Sequence, residues 1–328
     1  MKPRDYVIRR ILLVIPVIIG VTFIMFVLTY RMASDPAEYL RSLERADVDP
    51  ETIEAIKRVY GFDKPWYTQY YLFLKRLARG HLGNAFRTGR PVIQEIVDRT
   101  PNTLSYQLTA LVLSIFIAVP VGVTCAIHRN TRTDSYAMMG ALLGASLPTF
   151  FTGILFIYLF SLFLGWLPSG GAHANEFFGW DVPHDIHFYI DYVKHMILPA
   201  LTLTLAITGY TARLVRSSML NVLQEDYIIT ARSKGLKERV VIYKHALKNA
   251  MLPIMTVLGL RMGFMLSGAP IIETVFAWPG LGKFFLYAIG FRDYRTAVGI
   301  TVVLGLMVVF INVMVDLSYK FLDPRVEL

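Results

Sequence analysis

Residues 104–127 read LSYQLTALVLSIFIAVPVGVTCAI, a stretch of 24 residues that contains no charged side chain. A helix rises about 1.5 Å per residue, so this stretch is long enough to cross the roughly 30 Å hydrocarbon core of a bilayer. Inside that core every backbone N–H and C=O group must be hydrogen-bonded within the protein, and a helix satisfies them all. The stretch therefore predicts an all-α integral membrane protein.

Five further segments are comparably apolar and of comparable length. They are Ile11–Tyr30, Ala137–Trp166, Met196–Leu214, Ala250–Leu266 and Ala297–Tyr319. The composition agrees, because 55% of the 328 residues are hydrophobic and 17% are charged, whereas soluble domains have about 45–50% and about 25%. Pro120 and Pro148 lie inside two segments and predict kinks, which membrane helices tolerate. Together with Leu104–Ile127, the segments predict six transmembrane helices.

These segments divide the chain into three parts. Residues 1–30 hold an N-terminal cytoplasmic segment and the first transmembrane helix, and residues 31–100 form a small helical extracytoplasmic subdomain. Residues 101–328 form a core of five transmembrane helices. Within this core, residues 211–249 form a long cytoplasmic loop, and residues 268–296 form an outer scoop that Pro and Gly interrupt too often for it to span.

Capping and stop signals predict three helices in the extracytoplasmic subdomain. Asp49 can accept the free first-turn amide protons of one helix. A second helix runs over Pro65–Arg79 and stops at Gly80, and a third begins at Pro91. The second helix includes the aromatic residues Trp66, Tyr67, Tyr70 and Tyr71, which either pack within the protein or anchor the helix at the membrane interface.

The distribution of basic residues orients the predicted helices. Cytoplasmic loops of membrane proteins are enriched in Lys and Arg; Thr211–Asn249 carries eight of them, whereas Gly165–His195 carries only Lys194. The first apolar segment is longer than the apolar region of a signal peptide and lacks a small-residue cleavage site. We therefore expect an uncleaved first helix and two cytoplasmic termini. The net charge of +9 then reflects cytoplasmic loops and no nucleic-acid interface.

The sequence indicates no catalytic site and no cofactor. A phosphate-binding loop of the type GxxxxGK[ST] is needed for ATP, and the nearest match, Gly280-Leu281-Gly282-Lys283-Phe284, has Ala277 in place of the first glycine and lacks the hydroxyl residue. The predicted spans contain almost no Asp, Glu or His, which disfavours a self-contained ion-coupled carrier. The single cysteine, Cys125, lies in an apolar segment and is predicted to be a core residue.

Two short helices are predicted in the cytoplasmic loop. Asp226 caps a helix that runs through Ser233, and Gly235 ends it in the left-handed conformation. A second helix covers about Lys237–Ala250. Its predicted apolar face consists of Val240, Tyr243, Leu247 and Ala250. Such a pair of helices either lies on lipid headgroups or docks a cytoplasmic motor protein.

The loop reads EDYIITARSKG at residues 225–235 and HALKNAMLP at residues 245–253. These stretches resemble the coupling loop of ABC importer permeases, and more narrowly that of the dipeptide, oligopeptide and nickel permease family. Ile229-Thr230-Ala231 replaces the generic Glu-Ala-Ala, and the gap from Gly235 to Leu252-Pro253 is longer than in the generic loop. Both departures are typical of the peptide branch of the family.

Motifs along nearly the whole chain resemble the same family. They are YGFDKP at 60–65, GHLGN at 80–84, RTPNTL at 99–104, SLPTF at 146–150, ETVFAWPGLG at 273–282, RDY at 292–294 and DPR at 323–325. Each motif alone is weak, but their number and order make the resemblance specific. His81 stands where an acidic residue is common in the family, so a role for that acid is not expected here.

The resemblance implies a type I ABC importer permease that moves peptides or peptide-like solutes across the cytoplasmic (inner) membrane by alternating access. The implied partners are a second homologous permease, two ABC ATPases that bind ATP and Mg, and an extracytoplasmic solute-binding protein. The implied ATPase coupling helix comprises Glu225, Asp226, Tyr227, Thr230, Ala231, Arg232, Lys234 and Gly235. Nickel chelates, glutathione, opines and sugars are alternative cargoes within the family. A stand-alone channel or secondary carrier is the alternative from another class.

Arg261 and Glu273 are the candidate pathway residues. Arg261 falls within a predicted span, where a charged side chain is costly to bury. It either snorkels outward or pairs with Glu273, or it faces the pathway and steers a substrate carboxylate or another anion.

Four histidines in the outer loop Gly165–His195 suggest a second, weaker hypothesis. The motif His184-x-x-His187 could place two imidazoles on one helical face and relay a metal ion such as nickel. A solvated loop is the favoured interpretation, because Pro183 precedes the pair and the spacing fixes no further ligand.

Overall fold

The computed structural model describes residues 12, 15–27, 64–85, 88–171, 186–265, 268–291 and 293–322. Within these ranges the chain is helical and contains no β-strand, only one isolated antiparallel bridge between Asn84 and Pro91. The prediction of an all-α protein is therefore confirmed.

The described residues form the following helices, two of which contain a π-helical stretch. They are α1 Ile15–Val27, α2 Trp66–Leu77, α3 Val92–Ile127, α4 Arg132–Ser146, α5 Thr149–Phe163, α6 Ile186–Val222, α7 Asp226–Ser233, α8 238–265, α9 Pro270–Val275, α10 Leu281–Gly290 and α11 Tyr294–Leu322. The π-helical stretches are Ile157–Phe163 in α5 and Val241–Ala246 in α8.

Three of the described helices are long and apolar enough to cross a membrane, namely α3, α6 and residues Thr296–Val313 of α11. The pair α4 and α5 adds a fourth if it crosses as one broken span. The described part of the first predicted span, α1, is a shorter apolar helix. In α8, Leu247–Met265 includes the charged residues Lys248 and Arg261, which lower its hydropathy. The count of six spans stays a prediction.

The third predicted span was expected to be one helix with a kink, but it consists of two helices. The axes of α4 and α5 differ by 96°, and the break falls at Leu147 and Pro148. Both residues have extended backbone, with ψ of 135° and 133°. A proline disfavours the helical conformation of the preceding residue, which explains why the chain breaks here instead of bending.

Two helices run well beyond their predicted bounds. The helix that begins after Pro91 does not end before the second apolar segment, because α3 continues through Pro101. A proline removes one hydrogen bond, which a long packed helix tolerates. Likewise α6 has 37 residues, although the sequence predicted a span over Met196–Leu214. Its extension stays helical because residues such as Val215 and Met219 are fully buried at four-residue spacing.

Contacts divide the chain into two compact units, Met1–Val97 with Phe284–Leu328 and Asp98–Lys283. The second unit holds two buried apolar clusters of described residues. One cluster joins α3, α6, α7 and α8, and the other joins α3, α6, α9 and the loop that follows α9. Cys125 is fully buried in this unit, as predicted for a core residue.

In the first unit, α2 packs against α1 through Tyr70 and Trp66. The hydroxyl of Tyr70 donates a hydrogen bond of 2.9 Å to the carbonyl oxygen of Ile19. The ring centroid of Trp66 lies 6.5 Å from that of Phe23. Trp66, Tyr67 and Tyr71 are nevertheless exposed, and Tyr70 is half-buried. Internal packing therefore describes Tyr70 best, and anchoring of the exposed rings at a membrane interface stays a prediction.

In the second unit, α4 and α6 approach each other closely because small residues line their contact. A Cβ atom added at Gly209 in α6 would overlap the carbonyl oxygen of Ala141 and lie 2.7 Å from the Cβ of Ala145 in α4. Small residues of this kind let helix backbones meet in membrane proteins, where dispersion contacts drive association. By contrast, a Cβ at Gly140 of α4 would meet no atom within 4 Å.

The close approach predicts opposite outcomes for two glycine substitutions. Gly209→Ala should destabilise the protein by about 1–3 kcal/mol because the added methyl group forces α4 and α6 apart. Gly140→Ala should be neutral or stabilising by up to about 1 kcal/mol, because alanine favours the helix and space is open. Melting temperatures of the two detergent-purified variants test this. Equal melting temperatures would contradict the packing described here.

Candidate functional site

Helix α7 is a short helix with well-defined ends. Glu225 is its N-cap residue, and Asp226 is already helical; neither side chain caps the helix by a hydrogen bond. The prediction that Asp226 is the cap is therefore wrong by one residue, although its carboxylate still lies at the positive end of the helix dipole. Gly235 has a φ of +76° and its N–H donates to the carbonyl of Arg232 at 2.9 Å, which confirms the predicted left-handed stop.

One side of α7 is anchored in the protein core. Ile228 is fully buried and Ala231 is 8% exposed, and both belong to the apolar cluster shared with α6 and α8. The members of that cluster from the two long helices include Val215, Met219, Val241, Ile242, Ala246 and Ala250. Displacing α7 without moving the ends of α6 and α8 would expose these apolar side chains to water, which is unfavourable.

The apolar face of the second predicted helix is shifted by the π-helical turn in α8. Tyr243 was predicted to be on this face but is 53% exposed. Ala250 is buried as predicted, Val240 and Leu247 are half-buried, and the other buried residues are Val241, Ile242, Ala246 and Ile254. A π-helical turn holds one more residue than an α-helical turn, so the i, i+3, i+4 pattern of an α-helix loses register across it. The helix also continues without a break to residue 265.

Two polar contacts brace α7 against α8. The side-chain amide of Asn249 donates to the hydroxyl of Tyr227 at 2.7 Å. Arg232 makes a two-pronged ion pair with Glu238, with nitrogen–oxygen distances of 2.7 and 3.3 Å. The guanidinium lowers the pKa of the Glu238 carboxyl, so the pair persists at neutral pH. Both contacts are exposed, so they fix the orientation of α7 more than they stabilise the fold.

The opposite side of α7 is free of the core. Seven of the eight predicted coupling residues are exposed, and Ala231 is buried. Sequence reasoning missed Ile229, whose side chain is 54% exposed. Helical periodicity offered a signal, because Ile228 and Ile229 lie about 100° apart around the helix axis. The arrangement is a short helix held on one side and able to dock on the other.

Ile228 and Ile229 form a matched pair for testing the anchor. Ile228→Ala should destabilise the protein by about 2–5 kcal/mol, because it removes fully buried apolar volume. It should also speed tryptic cleavage at Arg232 and Lys234. Ile229→Ala should change stability by no more than about 0.5 kcal/mol. Melting temperature and cleavage rate measure both effects, and identical behaviour of the two variants would rule out the anchoring described here.

Arg261 does not pair with Glu273. Its guanidinium carbon lies 4.9 Å from the ring centroid of Tyr210 in α6, a cation–π contact. Glu273 is instead fully buried in α9, and its carboxylate is hydrogen-bonded by other residues. The alternative that the two side chains form an ion pair is therefore wrong.

The carboxylate of Glu273 ties the outer segment to α3. One oxygen accepts from the hydroxyls of Thr103 at 2.9 Å and Tyr106 at 3.1 Å, and the other accepts from the backbone N–H of Lys283 at 2.7 Å. Burial raises the pKa of this carboxyl, while the hydrogen bonds, including one from the backbone of Gly282, act in the opposite direction. A carboxylate so enclosed does not line an open pathway; it fastens two segments together.

The loop at residues 280–283, which superficially resembles a phosphate-binding site, donates backbone hydrogen bonds to this carboxylate. The N–H of Leu281 donates to the hydroxyl of Thr103 at 2.8 Å, and the indole N–H of Trp278 donates to the carbonyl of Asn102 at 2.9 Å. A Cβ atom at Gly280 would overlap the carboxyl group of Glu273. The loop amides thus bind an anion from the protein itself, as a backbone nest does.

The Glu273 cluster predicts the effect of a nearly isosteric change. Glu273→Gln supplies two N–H donors where only acceptors fit, so at least one buried donor loses its partner. The expected loss of stability is about 1–3 kcal/mol. Thr274→Val is the control, because Thr274 is exposed and bonds only within its own helix. Thermal unfolding compares the two, and a Gln variant as stable as the Val variant would refute the role of the carboxylate.

The motif His184-x-x-His187 lies partly outside the described residues, so the metal hypothesis stays a prediction. In the part of the chain that the structure describes, no group of three or more His, Cys, Asp or Glu side chains is arranged to hold a metal ion. His195 in α6 lies 3.4 Å from the carboxylate of Asp191, one helical turn earlier.

Comparisons with known proteins cover both halves of the chain. Residues 118–328 match the family described as binding-protein-dependent transport system inner membrane component, and residues 4–107 match the N-terminal family of such membrane components. A solved structure described as an amino acid ABC transporter with histidines aligns over 68% of this chain and 94% of that chain, with 16% identity and a TM-score of 0.42.

Curated relatives match over nearly the full length. The dipeptide transport system permease protein of Alkalihalophilus pseudofirmus is 37% identical over 340 residues. The oligopeptide transport system permease protein of Bacillus subtilis is 36% identical, and the glutathione transport system permease protein of Escherichia coli is 35% identical. Each match covers 98% of this chain and 99% of the relative. The chain belongs to the family of binding-protein-dependent transport system inner membrane components.

Proposed function

We propose that this chain is a permease subunit of an ATP-driven ABC importer that moves peptides or peptide-like solutes across the cytoplasmic membrane. The observation that carries the proposal is the geometry of α7, a short helix anchored by Ile228 and Ala231 and exposed on its other side. The full-length similarity to dipeptide and oligopeptide permeases supports the cargo class. Glutathione is the second candidate cargo, since a glutathione permease is 35% identical.

In this proposal α7 is the coupling helix. Two separate ATPases bind ATP and Mg and grip the exposed side of α7, which includes Tyr227, Ile229 and Lys234. Their movement presses on Ile228 and Ala231, which lie in the same buried cluster as the ends of α6 and α8. The stroke therefore reaches the long helices through close-packed side chains, which transmit strain because protein interiors are dense.

The proposal includes a membrane arrangement and further partners. Six spans would be provided by the first apolar segment, α3, the α4–α5 pair, α6, residues Leu247–Met265 and α11, with both termini in the cytoplasm. The three-part division at residues 30 and 100 is retained as part of it. Cargo would pass between this chain and a second homologous permease, after delivery by an extracytoplasmic solute-binding protein. Arg261 would face this pathway.

Reconstitution tests the proposed function directly. The chain is coexpressed with the second permease, the two ATPases and the binding protein, and the purified complex is inserted into vesicles. We expect uptake of a labelled dipeptide only when both ATP and the binding protein are present. Uptake that proceeds without nucleotide would indicate a stand-alone carrier or channel and would refute the proposal.

The stop at Gly235 provides a sharper test of coupling. Gly235→Pro should abolish dipeptide uptake and the stimulation of ATPase activity, because proline cannot adopt a φ of +76° and lacks the N–H that bonds Arg232. Lys237→Pro is the control, since Lys237 has a φ of −58°, which proline favours. Both rates are measured on assembled complexes. Normal uptake in the Gly235→Pro variant would contradict a rigid coupling helix.

A further inference from the structure

The ring of Tyr210 in α6 is in contact with two guanidinium groups. The guanidinium carbon of Arg213 lies 5.8 Å from the ring centroid, and that of Arg261 lies 4.9 Å from it. Tyr210 and Arg213 are three residues apart and share one face of α6, whereas Arg261 reaches the ring from α8. The two guanidinium carbons are therefore no farther apart than the sum of these distances.

Neither arginine is neutralised by an acidic side chain among the described residues. By contrast, Arg216 bonds Asp134 at 2.6 Å and Arg232 bonds Glu238 at 2.7 Å. Two like charges beside one ring repel each other, and the repulsion grows where water is scarce. Arg261 also lies in a segment proposed to span the membrane, where an ionisable side chain indicates a functional site. An anion bound to both guanidinium groups would offset the repulsion between them and the cost of placing Arg261 in a membrane-spanning segment.

We propose that Arg213, Tyr210 and Arg261 form a binding site for a carboxylate, and that its occupant is the C-terminal carboxylate of a peptide cargo. This inference rests on the proposed function. Each guanidinium offers a planar fork of N–H donors that matches a carboxylate, and the ring of Tyr210 contacts both guanidinium groups. The site is reachable, because Tyr210 is 39% exposed and Arg213 is exposed.

The chemistry of this site fits a transporter of many peptides. Every linear peptide ends in a carboxylate unless it is modified, so a site that recognises this group does not discriminate between side chains. A cation–π contact leaves the N–H edges of both guanidinium groups available to a ligand, whereas Arg216 and Arg232 already direct theirs at carboxylates of the protein. A phospholipid phosphate shares the oxyanion chemistry, and the experiment must distinguish it.

Site-resolved labelling of arginine tests the binding site. The assembled complex in zwitterionic phosphatidylcholine vesicles is treated with phenylglyoxal, and modification of each arginine is read by mass spectrometry. The peptide Ala-Ala, at about ten times its dissociation constant, should lower labelling of Arg213 and Arg261 about tenfold, because about one site in ten then remains empty. Ala-Ala amide, which lacks the carboxylate, should not protect them. Labelling of Arg129, an exposed residue in the turn before α4, is the reference.

Three outcomes would overturn the inference. Equal protection by Ala-Ala and its amide would exclude carboxylate recognition, and so would the absence of protection by either. Protection by vesicles that contain phosphatidylglycerol, without any peptide, would assign the site to a lipid headgroup. The labelling does not require transport. It can be repeated without a peptide by comparing protection by acetate with protection by acetamide. It therefore tests the site even if the complex moves no peptide, in which case the proposed function fails separately.

Variants connect the site to transport. Arg261→Gln and the double variant Arg213→Gln with Arg261→Gln should lower Ala-Ala uptake about tenfold or more. Arg261→Lys should retain more uptake than Arg261→Gln, because it keeps the positive charge. Arg129→Gln is the control and should leave uptake unchanged. If the unmodified complex is active and the double variant takes up Ala-Ala at the normal rate, the inference is wrong. The proposed function would still stand.

Discussion

The burial of Ile228 against the ends of α6 and α8 is the contact on which the proposed mechanism depends. Fully burying an isoleucine side chain is worth about 1.5–3 kcal/mol, and Ile228 has no exposed surface. The neighbouring Ala231 lets the backbone of α7 approach the same cluster. The helix is therefore fixed by dense apolar contact, and its polar contacts to α8 set only its orientation. A force applied to α7 would therefore pass to α6 and α8 through these close-packed side chains.

A second connection, at Glu273, uses different physics. There the outer segment is held by a buried carboxylate whose oxygens accept bonds from Thr103, Tyr106 and the backbone of Lys283. Hydrogen bonds of this kind are directional, so they fix the orientation of a segment that also buries Phe276 and Trp278 in an apolar cluster. Helix α3 contributes both to this polar cluster and to the apolar cluster beneath α7. One long helix thus participates in both connections within its unit.

Local signals predicted the described helices well where they were strong. The apolar run at 104–127 and the left-handed Gly235 both appear in the structure, because each depends on the residue itself and its immediate neighbours. At Pro148 the sequence predicted a bend, and the structure has a full break. Predictions that depended on helix register were less successful. The exposed Tyr243 shows this, since it lies in the π-helical stretch Val241–Ala246, where the register of an α-helix does not apply.

Sequence patterns alone were enough to predict a helical membrane chain that carries a short helix between an acidic start and a glycine stop. These properties follow from hydropathy, helix propensity and the conformational freedom of glycine, which are local. Only the tertiary structure decided that Arg261 contacts Tyr210 and that Glu273 is enclosed by α3. Both outcomes bring together residues that are 51 and 170 positions apart. Such contacts are chosen by the packing of whole helices, which no short stretch of sequence specifies.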